Sequence, residues 1–395
     1  MRHYLFYILV LLISLPVKAF ETKNLQVSLL TVMPRSNEVY TIYGHTALRI
    51  YDPEQQIDAV FNWGTFDFNA PYFLYRFIKG ETDYFLSVTD YEHFLYAYSH
   101  GDATVVEQIL NITPEGKEKL FQILSLNLRP ENVMYRYNFL FDNCTTRIRD
   151  IIENCTGQSL TYPEQTKETT FRKLIHSCTK PYPWMTFGID LLIGSGADSV
   201  IHFRQELFLP LHLKKALDRS FLPHSTPVVI SEKQVLTNAS KDTSKLNFGD
   251  SPLVIGCIIF LVYLIISWAG WTKKRRLNVV FAPLFFAAGA AGCLIGFVTL
   301  FSDHPCTSPN WNLLWLHPFH WIAFSECFFK KTYPFLFGYH TINLGLLFIV
   351  LIAWHWLPQV LNTANIPYIL CLGLASGYKL LLFGRYHTKF GCNNR

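Results

Sequence analysis

A cysteine that acts as a nucleophile needs surroundings that favour its thiolate. The stretch "YNFLFDNCTTRIRDII", residues 137–152, offers them. Ile148, Ile151 and Ile152 fall at i, i+3 and i+4, while Arg147, Arg149, Asp150 and Glu153 take the other faces, which is a helical pattern. Asp142 or Asn143 suits the N-cap. Cys144 then sits in the first turn, where unpaired amides and the helix dipole favour an anion and lower a thiol pKa. Arg147, one turn on, adds positive charge and is a candidate substrate contact. From this stretch alone, a cysteine packed beneath the helix as a small apolar residue remains the alternative.

A nucleophile also needs a base. Of the histidines before the apolar C-terminal half, only His45 has a distinctive setting, in "TIYGHTALRIYD". This alternates as a strand, with His45, Ala47, Arg49 and Tyr51 on one face and Thr46, Leu48 and Ile50 on the other. Gly44 permits close approach of another backbone. "DPEQQ" breaks the chain, and "IDAVFNWG" reads as the returning strand. A polar residue on that strand would fix the imidazole tautomer, as in a catalytic triad. Asn62 is the choice, with Asp58 and Asp67 behind it. Tyr43 and Trp63 flank these positions and are candidate substrate contacts. A structural histidine on a strand is the alternative. The aromatic run "NWGTFDFNAPYFLYRF" reads as core packing in preference to a lipid-facing rim. His304, His317 and His320 read as interfacial histidines, and neither a metal nor a cofactor is expected.

The elements that position these residues lie in a chain of two characters. The protein has 395 residues, half of them hydrophobic, and a formal charge of +5. Its basic residues cluster beside apolar segments and form no stripe, which points to membrane topology and away from nucleic acid. Residues 1–19 read as a signal peptide, with Arg2, an apolar run and a cut after Ala19. Residues 20–230 read as an exported globular domain, 231–250 as a polar linker, 251–385 as a membrane domain and 386–395 as a cytoplasmic tail. Five spans are expected, starting at "PLVIGCIIF", "VVFAPLFF", "LLWLHPFHW", "TINLGLLF" and "IPYILCLG", the third being the weakest. With the globular part outside, Lys273–Arg276, Lys330, Lys331 and the C-terminal basic residues all fall on the cytoplasmic side. Cys155 and Cys178 are a candidate disulfide on the oxidising side, which would leave Cys144 free.

The motifs "YGHTALRI", "FNWGTFDFNAPYFLYRFIKGETDYFLS" and "FLFDNCTTRIRD" resemble the periplasmic domain of the Lnb lipoprotein N-acyltransferase family, a branch of the circularly permuted papain-like cysteine enzymes. "NLLWLHPFHW" resembles the membrane part that accompanies it. The resemblance implies an α+β domain, an antiparallel sheet with a packed helix carrying Cys144, followed by an all-α membrane domain. It implies Cys144 as nucleophile and His45 as base. It also implies membrane lipids and lipoproteins as substrates at the periplasmic face of the inner membrane. A cell-wall cysteine peptidase or amidase, or a non-catalytic exported scaffold, are the rival readings.

Overall fold

A computed structural model describes residues 24–35, 41–100, 103–157, 160–164, 167–237, 249, 251–328 and 334–391. The expected signal peptide, most of the linker, Lys330, Lys331 and Cys392 lie outside the described residues.

The exported domain is built on strands β1 (Gln26–Val32), β2 (His45–Asp52), β3 (Ile57–Thr65), β4 (Asp83–Asp90), β5 (Thr104–Leu110), β6 (Met134–Arg136) and β7 (Val229–Thr237). They form one sheet in the order β7-β5-β1-β2-β3-β4-β6, and every pair is antiparallel. Helices α1 (Phe73–Lys79), α2 (Tyr91–Ser99), α3 (Pro114–Asn127) and α4 (Cys144–Cys155) follow their strands, and α5 (Phe171–Thr179), α6 (Pro183–Leu192) and α7 (Pro210–Asp218) come later. The period-2 pattern of the strands explains the layering. Leu29, Leu48, Phe61 and Trp63 face α3, α4 and α7, burying Leu120, Ile148, Ile152 and Leu213 in the main core. Leu30, Ala47, Val60 and Val105 point the other way and pack on Phe94 of α2.

β7 corrects the expected domain boundary. Residues 231–237 belong to the sheet edge and not to a linker. Their polar character is that of an edge strand facing water, since Glu232, Lys233 and Gln234 are exposed.

Helices α8 (Pro252–Thr272), α9 (Asn278–Phe301), α10 (His320–Ser325), α11 (Pro334–Ile352) and α12 (Asn365–Gly391) form the membrane part. Among the described residues, four helices, α8, α9, α11 and α12, are long and apolar enough to cross a membrane. The third expected span is a chain of short pieces, a 3-10 turn at Trp311–Leu314, α10, and a second turn at Glu326–Phe328. Pro318 accounts for the break, because it lacks an N–H and clashes with a preceding turn. The segment nonetheless runs the length of the bundle. At one end, Asn312 Nδ2 donates to the Asp190 carbonyl of the exported domain (2.9 Å). At the other, the Glu326 carbonyl accepts from Asn278 at the start of α9 (2.9 Å), and its carboxylate pairs with Lys379. The chain thus traverses the bundle five times, and α12 runs from the domain side to the opposite end, where Lys379 meets Glu326.

The two parts are joined by directed polar contacts. Asp190 is bound by Arg172 (2.7 Å), His176 (2.8 Å) and Asn362 of the membrane part (2.8 Å). Gln359 Nε2 donates to the Ile193 carbonyl (3.0 Å), and the Gly194 N–H to the Cys306 carbonyl (2.7 Å). Burial alone would push the Asp190 carboxyl up, but His176, Arg172 and Asn362 outweigh it and hold it below its ordinary value.

Candidate active site

Asn143 is the N-cap of α4. Its side chain accepts from the Thr145 and Thr146 N–H groups (2.8 and 2.9 Å), and the Thr146 hydroxyl accepts from the Asn143 N–H (2.8 Å). Cys144 is therefore the first residue of the helix. The cap also spends the next two amides, and the Arg147 N–H goes to the Asn143 carbonyl (3.1 Å). Of this turn, the Cys144 N–H is the amide the cap does not use.

His45 opens β2 and Asn62 lies on β3, on the same face. His45 Nε2 donates to Asn62 Oδ1 (3.2 Å). A carbonyl oxygen only accepts, so Nε2 carries the hydrogen and Nδ1 is left to face the thiol. Cys144 comes from the helix on the opposite face of the sheet, and two glycines with positive φ shape the backbone beside it. Gly64, at φ 93°, sits in a bulge of β3 where a Cβ would stand 3.6 Å from the Cys144 Cβ. Gly44, at φ 79°, brings the chain into β2 so close to β1 that a Cβ would lie 2.6 Å from the Val32 carbonyl.

The electrostatics of the pair follow from this contact. Burial pushes the Cys144 thiol up. The charge and hydrogen bond of His45, with the Thr46 N–H and the Thr145 hydroxyl, outweigh that and set it below the ordinary thiol value. Burial pushes His45 down, yet the Cys144 thiolate and Asn62 leave it above the ordinary imidazole value. Opposite shifts on the two groups mean that each favours the charged form of the other, which eases proton transfer from thiol to imidazole.

The pair opens into a cleft of about 380 Å³ lined also by Arg35, Phe66, Tyr84, His93, Tyr98 and Tyr137. The sequence did not single out Arg35. Its guanidinium lies 5.2 Å from the Tyr98 ring, and its Nε has no hydrogen-bond partner among the described residues. Nothing in the local pattern marked it, because the end of β1 and helix α2 meet only in the folded sheet.

The three expected substrate contacts do not line this cleft. Trp63 alternates with Asn62 and is wholly buried in the main core. Arg147 forms a two-pronged pair with Asp142 (2.6 and 2.8 Å) and covers the Tyr135 ring at 3.5 Å. Tyr43 packs edge-on against Phe139 at 4.8 Å. Neither reserve orienter reaches His45. Asp58 pairs with Arg49 (2.7 Å), and Asp67 caps the turn at Asn69 (2.8 Å). Cys155 and Cys178 are free thiols in separate apolar clusters, so the expected disulfide is not formed. His317 and His320 stack at 4.0 Å inside the bundle and not at its surface, while His304 bonds the Phe77 carbonyl (2.6 Å).

The aromatic run is core packing only at its start, where Trp63 is buried and Phe66 packs against the core. Phe68, Tyr72, Leu74 and Tyr75 are exposed, Tyr72 by 83%, and α1 buries no residue. Its Ile78 and Lys79 carbonyls accept from Ser302 (2.9 Å) and Asp303 (2.8 Å) at the end of α9. An exposed aromatic helix held at the end of a spanning helix is a membrane-interface element.

An α+β domain that brings a cysteine and a histidine together in a cleft and is seated on long apolar helices defines a membrane-anchored protein with an exported domain. The Lnb N-terminal periplasmic domain matches residues 17–177, and the Lnb transmembrane domain matches residues 243–387. The chain belongs to the Lnb-type family and is a multi-pass membrane protein with a periplasmic N-terminal domain. No curated protein and no solved structure matches it.

Proposed function

We propose that the protein is a cysteine acyltransferase of the inner membrane. It moves a fatty acyl chain from a lipid ester, through a thioester on Cys144, to the N-terminal amine of a lipoprotein. The observation that carries this reading is the Cys144–His45–Asn62 contact in a cleft fixed above the spanning helices. Membership of the Lnb-type family supports it.

The thiolate attacks the ester carbonyl, and the Cys144 N–H donates to the oxyanion. As the tetrahedral species collapses, the carbon–oxygen bond breaks, and imidazolium His45 gives its proton to the departing alkoxide. The amine then attacks the thioester, neutral His45 takes its proton, and the amide forms as the thiolate leaves. Asn62 keeps Nδ1 aimed at the sulfur throughout. Seating donor and acceptor in one leaflet spares a search in three dimensions.

The test is complementation of a strain whose lipoproteins keep a free N-terminal amine, read by mass spectrometry of those N-termini. The wild-type gene should add one acyl chain, and Cys144→Ser should not. Cleaved wall peptides with unchanged lipoproteins would replace this reading by the peptidase or amidase. Full acylation by an equally expressed Cys144→Ser protein would leave only a scaffold.

A further inference from the structure

A second cavity, of about 370 Å³, lies where the domain meets the membrane part. Its walls are Phe77 and Ile78 of α1, Phe139 and Leu140 ahead of Cys144, Ile189 and Leu192 of α6, and Leu294 and Val298 of α9. Apart from His304 and Thr307, the side chains around it are almost wholly apolar. Leu294 and Phe77 are 43% and 44% exposed, so the cavity opens on the side that spanning helix α9 turns to lipid. Leu294 and Val298 belong to the last two turns of α9, within roughly 10 Å of its domain-side end.

The cavity and the active-site cleft are joined by a row of rings. Phe66 lines the cleft and stacks on Phe73 at 5.8 Å, and Phe73 stacks on Phe77 at 6.0 Å, which lines the cavity. On the other side, Tyr137 lines the cleft and Phe139, two residues on, lines the cavity. A row of apolar rings therefore runs between the cleft that holds the thiol and an apolar chamber beside the end of α9.

We propose that this cavity holds the distal part of a fatty acyl chain whose carbonyl is presented to Cys144, which rests on the acyltransferase reading above. A long chain drawn from the bilayer lies along the Phe66–Phe73–Phe77 row and ends among Ile189, Leu192 and Leu294. Each methylene moved there leaves one apolar surrounding for another, so the cavity selects by shape and length and not by gross hydrophobicity. A chain of a few carbons does not reach past the ring row.

Two measurements decide the proposal. In the first, the full-length Cys144→Ala protein sits in nanodiscs containing a phospholipid with a diazirine at the end of its acyl chain. Irradiation should label peptides around Leu192 and Leu294, and Ile189→Trp or Leu294→Trp should cut that label several-fold. Label confined to the outward faces of α8 and α11, unchanged by both variants, overturns the proposal. In the second, thioester on Cys144 is followed with hexadecanoyl and butanoyl esters. Both variants should lose roughly tenfold or more with the long ester, as apolar contact is denied to it, and keep the short one. An equal loss with both esters, or none with either, overturns it. If the wild-type protein forms no thioester with either ester, the acyltransferase reading fails, and the photolabel alone decides whether the chamber takes an acyl chain.

Discussion

Cys144 and Cys155 begin and end the same helix, and their thiols are set in opposite directions. Cys155 is packed into the main core, where the Gly116 position of α3 comes so close that a Cβ would lie 2.5 Å from its carbonyl. Burial pushes its thiol up to about 11, opposed only by the distant charge of Lys119. Cys144 is also desolvated, yet its thiol is set below the ordinary value. The helix dipole has the right sign at both ends but is worth only about 0.3–1 kcal/mol, less than one pKa unit. The larger part of the contrast therefore comes from the partner. Cys144 has His45, a Thr46 N–H and a Thr145 hydroxyl, and Cys155 has apolar side chains.

The sharpest way to break this comparison is to remove each sulfur in turn. Cys144→Ser should cost roughly 10³-fold or more in acyl transfer, since nucleophile and base act as one unit. The Cys144→Ser, His45→Ala double variant should then be little worse than Cys144→Ser alone. Cys155→Ser should leave the turnover of folded protein near wild type and lower stability by about 1–3 kcal/mol through a buried hydroxyl, read as a fall in the thermal midpoint. If the two substitutions affect turnover equally, the contrast has no catalytic meaning.

The pH dependence of alkylation measures the same contrast without substrate. Cys144 should react with iodoacetamide at pH values below the ordinary thiol range, because its folded pKa is lowered, and Cys155 only well above that range or on unfolding. His45→Ala should move the Cys144 midpoint upward, toward that of Cys155. Transfer itself should rise through the lowered thiol pKa and fall as pH passes the raised His45 value, where the proton for the leaving alkoxide is lost. A His45→Ala midpoint equal to wild type would assign the low pKa to the helix start alone.

The smallest effect belongs to Asn62→Ala. It removes an orienting bond and a lesser contribution to the raised His45 value, while the larger contribution of Cys144 stays. The loss should fall short of the roughly 10²–10⁴-fold that a positioned acid–base group supplies. It should appear in turnover while the alkylation midpoint moves little.

How much of this was legible in the sequence depends on the range of the interaction. Cys144 at a helix start is a local pattern, with Asn143 as cap and isoleucines at helical spacing, and the helix begins at that residue. His45 and Asn62 follow from two alternating strands joined by a short turn, whose register, with Leu48 opposite Phe61, puts them on one face as diagonal neighbours. Arg35 and Tyr98 were out of reach, because they meet only through the order of the strands and a helix on the far face. Trp63 misled because alternation sends neighbours to opposite faces: a residue beside a site residue in sequence is turned from it in a strand. The exposed rings of α1 resembled a core because an interface with lipid and an interior use the same side chains. The five crossings were legible from charge, while the broken third one was set by a proline and by polar contacts at both ends of the bundle.

The Asp190 junction has a kinetic consequence. Asp190 binds Arg172 and His176 on one side and Asn362 on the other, so it ties the domain that carries the cleft to the membrane part. On the proposed acyltransferase reading, a domain so mounted should obey surface kinetics: the rate should follow the mole fraction of substrate in the leaflet, and adding inert lipid at constant bulk concentration should slow it by dilution in two dimensions.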